Sequence, residues 1–328
     1  MSRPSSALPR RYLRFAWGVL AFNLGVILWG AYVRASGSGA GCGDHWPLCN
    51  GEVVPRAPAL ATLIELAHRL TSGLALLLVV ASWLWVRRLA PAGTPVRRAA
   101  FWSVIFMLIE AAVGAGLVLF EYVAGDERQA RILWLSAHLA NTLILIAWIG
   151  LTAWFASGQP APRLQLNARL ATVAATLFGL IVIGMTGAIA ALGDTLFPAS
   201  SLAEGLAQDL SPTAHLLLRL RILHPTLAVA VGGVAALLAW WSSQQYRAPM
   251  TQTLGRAAGA LVLVQWAVGT TNLLLLAPIW LQLIHLLMAD LLWLAFVFLG
   301  AALLADAREE APVRVATAMP APAPFGRT

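Results

Sequence analysis

The segment ATLIELAHRLTSGLALLLVVASWLWV, residues 61–86, decides how the chain is read. It is apolar for long enough to cross a hydrocarbon core of roughly 30 Å at about 1.5 Å of rise per residue. About one-third of the way in it carries His68. An ionisable side chain inside a bilayer is costly and points to function by default. Comparable apolar runs lie at about 15–36, 99–120, 131–156, 169–192, 215–241, 256–276 and 279–304. The chain is therefore expected to be an all-α integral membrane protein with eight transmembrane helices. The first run is too long for a signal-peptide core and lacks a clean small-residue cleavage site, so it reads as a retained helix.

Composition agrees with this reading. Of 328 residues, 59% are hydrophobic and only 11% are charged, and mean hydropathy is +0.76, far from the balance of a soluble domain. The net charge of +8 does not call for nucleic acid, because of where the charges lie. Every basic residue is arginine. Arg3, Arg10, Arg11 and Arg14 precede the first helix, Arg87, Arg88, Arg97 and Arg98 fill the second loop, and Arg163, Arg169, Arg247 and Arg256 occupy the fourth and sixth. The odd-numbered loops carry Asp44, Glu52, Asp126, Glu127, Asp194, Glu204 and Asp209 instead. Basic loops stay in the cytoplasm, which puts both termini inside and the odd loops outside.

The two halves resemble each other. Ile109-Glu110-Ala111-Ala112-Val113-Gly114 lines up with Val264-Gln265-Trp266-Ala267-Val268-Gly269 at an offset of 155 residues. His68 pairs with His224 and His138 with His285 at similar offsets. The expected architecture is a tandem repeat of two four-helix bundles, residues 1–156 and 169–306, joined by a cytoplasmic linker at 157–168. The Ala- and Pro-rich tail 307–328 is expected to be disordered.

His68, His138, His224 and His285 sit at one depth, near the outer ends of the even-numbered helices. Imidazole is a good ligand for iron, and facing helices hold cofactors in bundle cores, so two pairs of imidazoles fit two flat metal cofactors edge-on to the outer surface. A lone membrane histidine is as readily explained by a hydrogen bond to a neighbouring helix, but four at matched depth are not. Gly30, Gly114, Gly116, Gly184, Gly187 and Gly269 fall near the same level. Such glycines either make room for a porphyrin or pack helices closely. His45 reads as a loop residue, and His215, at the outer mouth of the sixth helix, as a candidate propionate contact.

Glu65 lies three residues before His68 on the same helix face. Arg69 follows His68 and suits a haem propionate in bidentate fashion; the alternative is an interfacial Glu65–Arg69 ion pair. The second half has Arg221 where the first has Glu65. That asymmetry makes the first half the candidate chemical site and the second the candidate permanent cofactor site. Cys42 and Cys49 share the first outer loop. An outer compartment favours a disulfide; a free redox pair or a metal site with His45 are the alternatives.

Taken together, Glu65-Leu66-Ala67-His68-Arg69, the two loop cysteines with six residues between them, and single histidines in the fourth, sixth and eighth helices resemble the haem A synthase family across essentially the whole chain. The sixth-helix segment departs from the Glu-x-x-His-Arg pattern, reading Arg221-Ile222-Leu223-His224-Pro225. By this resemblance, the protein is a membrane oxidoreductase that oxidises a ring methyl of haem O to a formyl group, giving haem A for cytochrome oxidase. The resemblance implies a prokaryotic plasma membrane, haem b on His224 and His285, substrate haem on His68 and His138, a functional carboxylate at Glu65 and a Cys42–Cys49 disulfide. Haem O supplied by a haem O synthase, an electron-transfer partner, membrane lipid and self-association are the implied partners. If both histidines ligate the substrate iron, either water attacks an oxidised porphyrin with Glu65 taking the proton, or one histidine leaves so that oxygen binds. A two-haem membrane electron carrier would place its haems on opposite sides of the membrane, and a haem transporter would not depend on Glu65.

Overall fold

The computed structural model describes residues 7–246 and 248–305. Arg3, Arg247 and the tail 307–328 lie outside the described residues. Apart from an isolated β-bridge between Cys49 and Glu52, the regular structure described is helical. In order come α1 (Arg10–Ala35), a 3-10 turn (Ser38–Ala40), α2 (Leu60–Leu89), α3 (Pro95–Leu119), α4 (Gln129–Ala156) and α5 (Ala168–Leu196). Then follow α6 (Leu202–Leu210), α7 (Leu216–Arg221), α8 (Leu223–Gln245), α9 (Pro249–Leu274) and α10 (Ile279–Ala305). Eight spans are long and apolar enough to cross a membrane, α7 and α8 together making the sixth. In hydrocarbon every backbone polar group must be satisfied within its own segment, which selects helices for runs of this length.

The ends of these helices follow from local chemistry. Pro95 and Pro249 open α3 and α9, where a missing N–H costs nothing. Asn167 caps α5 by accepting the Leu170 N–H at 2.9 Å. The run at 215–241, expected as one helix, is interrupted at Ile222. Pro225 has no N–H to give the Arg221 carbonyl, so the hydrogen-bond ladder breaks one turn upstream. The Thr226 hydroxyl donates to the neighbouring Ile222 carbonyl at 3.0 Å. The connection between α5 and α7 also holds the short helix α6, which the reading of this stretch as loop did not foresee. Its signal was present in Ser201-Leu202-Ala203-Glu204: Ser201 accepts the Glu204 N–H and Glu204 accepts the Ser200 N–H, a form of capping box.

The helices pack as two quartets. In the first, α1 meets α2, α2 meets α3, α3 meets α4 and α4 returns to α1. In the second, α5 meets α8, α8 meets α9, α9 meets α10 and α10 returns to α5. Helices α4 and α10 form the seam: 50% and 61% of their most apolar windows are buried, against 11–28% in the other spans, whose remaining surface suits lipid. Along that seam Trp293 Nε1 donates to the Leu143 carbonyl at 2.7 Å, and Trp154 stacks on Phe298 with ring centres 5.1 Å apart. At the odd-loop end Arg34 of α1 donates to Ala191 O and Thr195 Oγ1 on α5 and to Gln282 Oε1 on α10. At the even-loop end the Arg163 N–H donates to the Leu304 carbonyl. Arg34, the Trp293 bond and the Trp154–Phe298 stack thus join the quartets at three levels, and Arg163 ties the linker to α10.

Candidate functional site

His68, His138, His224 and His285 lie eight, nine, eight and six residues beyond the first residues of α2, α4, α7 and α10. At helical rise that is roughly 9–14 Å below the odd-loop end for all four. Each ring lies against a glycine of a different helix. A Cβ added at Gly30 of α1 would stand 2.8 Å from His68 Cε1, and one at Gly269 of α9 would stand 2.8 Å from His285 Cε1. At Gly187 of α5 the corresponding approach to His224 is 3.0 Å, and at Gly114 of α3 the approach to His138 is 3.7 Å. These glycines therefore seat the imidazoles directly, whereas Gly116 faces Trp134 and Gly184 faces Leu143. The small residues noted in the sequence thus divide into histidine seats and plain packing contacts.

In the first quartet, His68 of α2 and His138 of α4 lie at one depth. His138 Nδ1 stands 3.5 Å from Glu110 Oε1, an ion-pair distance that falls short of hydrogen-bond geometry. Glu110 accepts Asn141 Nδ2 at 2.6 Å and the Thr142 hydroxyl. In the second quartet the His224 and His285 rings are 6.2 Å apart, centre to centre, and nearly perpendicular at 82°. Thr186 Oγ1 is 3.4 Å from His224 Nδ1, and Gln265 Nε2 is 3.4 Å from His285 Nε2. Glu110 and Gln265 were visible in the sequence only as markers of the repeat. The signal that would have singled out Glu110 is a carboxylate in the middle of a membrane helix.

Cys42 and Cys49 are joined by a disulfide with an S–S distance of 1.95 Å. The loop they close is fastened to α2. Thr62 Oγ1 donates to Gly41 O at 2.7 Å, and the Cys42 N–H donates to Glu65 Oε2 at 2.8 Å. Arg69 binds Glu65 Oε1 through Nε at 3.1 Å and through Nη2, while Nη1 donates to the His45 and Leu48 carbonyls. The interfacial ion pair weighed in the sequence is present, and Glu65 is buried beneath it. Arg221 is similarly held, by Asp194 at 3.0 Å and Asp209 at 2.6 Å. Each quartet therefore has an arginine–carboxylate cluster at this level. The asymmetry read from Glu65 against Arg221 is smaller than the sequence implied, because the opposite charge arrives from elsewhere in the chain. His215 caps α7, its Nδ1 accepting the Leu217 N–H at 3.3 Å while its ring lies on Phe197. His45 is an exposed loop residue beside Asp44.

The donor set fits an iron group that takes two imidazoles. Among the described residues no three His, Cys, Asp or Glu side chains converge as a metal cage. Three of the four rings have a buried Nδ1 without a hydrogen-bond partner, those of His68, His138 and His285. Buried polar nitrogens are rarely left so unless another group completes them. The 6.2 Å between the His224 and His285 ring centres accommodates two metal–nitrogen bonds of roughly 2 Å each plus the reach from each nitrogen to its ring centre.

The chain is similar to known proteins along most of its length. It is 47% identical over 291 residues to a protoheme IX farnesyltransferase of Thermus thermophilus, which covers 88% of this chain and 48% of that protein. A heme A synthase of Symbiobacterium thermophilum is 43% identical over 99 residues, covering 30% of this chain and 32% of the relative. A heme A synthase of Halalkalibacterium halodurans is 37% identical over 141 residues, covering 42% and 44%. The chain spans about half the length, or less, of these curated relatives. Residues 13–297, a stretch that holds all four membrane histidines, Glu65 and both cysteines, match the model of the cytochrome oxidase assembly protein family, and the chain belongs to that family.

Proposed function

We propose that this protein oxidises a ring methyl of haem O to a formyl group, yielding haem A, with substrate haem held by His68 and His138 and a resident haem b held by His224 and His285. The observation that carries the reading is the recurrence of one arrangement: in each quartet two imidazoles at one depth, each laid against a glycine of a neighbouring helix. Family membership and the heme A synthase relatives support it. We read the two quartets as the two bundles, 1–156 and 169–306, and place both termini in the cytoplasm of the cell membrane on the arginine-rich even loops.

Haem b, when bound, supplies one-electron transfer that side chains cannot. The chain's own residues do the rest. The glycine seats set the height and tilt of the imidazoles, and hence of the porphyrin plane. Glu65 accepts the proton released at the methyl: its carboxylate oxygens have lone pairs beyond those engaged by Arg69 and Cys42. Arg69 and Arg221, already bonded within the chain, and His215 stand at the level where propionates emerge; contacts there add to the existing bonds. Haem O from a haem O synthase, an electron-transfer partner and self-association complete the proposed setting.

Pigment extraction from the purified full-length protein tests this reading. Haem O or haem A recovered alongside haem b is the expected result, and haem b alone in protein made in cells that contain haem O would overturn it. The name of the Thermus thermophilus relative raises a second reading, farnesyl transfer to protohaem. This chain matches 48% of that protein, so the name does not say which part transfers the farnesyl group. Incubation with protohaem and farnesyl diphosphate separates the two, since only the second reading yields haem O.

A further inference from the structure

Glu110 and Gln265 occupy matching places, each one helical turn before a glycine seat and each beside a histidine of its own quartet. One is a carboxylate and the other a neutral amide. Glu110 is fixed from α4: Asn141, which also donates to the Phe106 carbonyl, and Thr142 both donate to its oxygens. With its other contacts made, the carboxylate faces His138 Nδ1 at 3.5 Å, and that nitrogen has no other partner. Gln265 is held less firmly, its Oε1 buried without a hydrogen bond. It approaches His285 at Nε2, whereas Glu110 faces His138 at Nδ1, so His285 Nδ1 has neither a partner nor a charge beside it.

We propose that Glu110, standing at His138 Nδ1, is a positioning residue for that ring, and that a carboxylate there, with no partner at His285 Nδ1, makes the group held in the first quartet the harder of the two to reduce. An axial imidazole that offers its second N–H to a carboxylate keeps a fixed orientation and donates more strongly to iron, which favours the oxidised metal and lowers its potential. His285, whose Nδ1 has no partner, lacks that effect. A ferrous group held by His68 and His138 would then give one electron to a ferric group held by His224 and His285, the first being oxidised as the second is reduced. No bond is made or broken in that step. The inference rests on the histidine ligation proposed above.

Spectroelectrochemical titration of the full-length protein reconstituted with protohaem tests it. Wild-type protein should give two one-electron steps, the lower missing in His138→Ala and the higher missing in His285→Ala. Glu110→Gln should raise the lower step by at least tenfold in electron partition, equivalent to 59 mV for one electron. Glu110→Asp, which keeps the charge but draws it back from Nδ1 by one methylene, should raise the same step by less. A Glu110→Gln protein that carries protohaem at wild-type stoichiometry and shows an unmoved lower step would overturn the proposal. If that variant fails to fold, Glu110→Asp decides alone: an unmoved lower step overturns it. Two full steps retained in His138→Ala would instead show that the ligand assignment has failed, and the inference with it.

Discussion

Glycine seats make sharp demands at the scale of single residues. Gly30→Ala and Gly269→Ala each place a methyl group 2.8 Å from a histidine carbon, so the ring must move. The cost to folding is small because a side chain can yield, but the imidazole leaves the line on which it would bind iron. A loss of roughly 10–100-fold in haem affinity is expected, as for other changes that reorient a ligand. Gly114→Ala, with 3.7 Å available, should bind normally. Haem-to-protein ratio and the low-spin absorption spectrum of the three variants are the measurement; equal loss or equal retention in all three would contradict the seating argument. Replacing His224 or His285 with Ala should remove a low-spin, six-coordinate b-type spectrum. Glu65→Gln should fold, keep the C-terminal haem b and accumulate haem O with little haem A, and near wild-type haem A output would reduce Glu65 to a partner of Arg69 and Cys42. All four histidines and Glu65 were legible in the sequence because charge within a hydrophobic run stands out. What each histidine rests against was not, since a glycine's neighbour lies on another helix.

Among the elements, α6 shows how a local signal can be overlooked inside a loop. Its capping box, Ser201 with Glu204, anchors the helix that delivers Asp209 to Arg221. Ser201→Ala should cost about 1 kcal/mol of local stability, so amide exchange across 202–210 should quicken roughly fivefold. The Ser200 hydroxyl and N–H hold the Glu204 carboxyl below its ordinary range. A carboxyl lowered in the folded state stabilises it above the unfolded value of roughly 4.3, and that contribution disappears as pH falls through the folded value. Protection of the α6 amides, measured against their intrinsic exchange rate at each pH, should therefore fall below about pH 4 in wild type and respond less in Glu204→Gln. The spans themselves were legible because hydropathy and length suffice in a membrane. The break at Ile222 was only half legible: Pro225 announced a lost hydrogen bond, but a proline in a membrane helix can kink it or break it, and the sequence does not say which.

For the whole molecule, the seam between quartets is the least expected feature. Asp290 of α10 is fully buried, and neither of its carboxyl oxygens has a hydrogen-bond partner among the described residues. An unsatisfied buried polar group costs about 1–3 kcal/mol, so Asp290→Leu should raise stability by about that amount in thermal unfolding in detergent. Destabilisation, or loss of haem by this variant, would show that Asp290 serves a partner or a proton path. Periodicity could not reveal the seam, because α4 and α10 look like other apolar helices until their neighbours are known.

Three fastenings, Arg34 at one end, Trp293 midway and the Trp154–Phe298 stack nearer the other, also fix how far the first histidine pair stands from the second. Tunnelling between two redox centres falls off exponentially with their separation. A joint pinned at three heights admits little hinge motion, so the traffic between the two sites should proceed at a rate indifferent to solvent viscosity, set by a constant gap and not by waiting for the halves to approach.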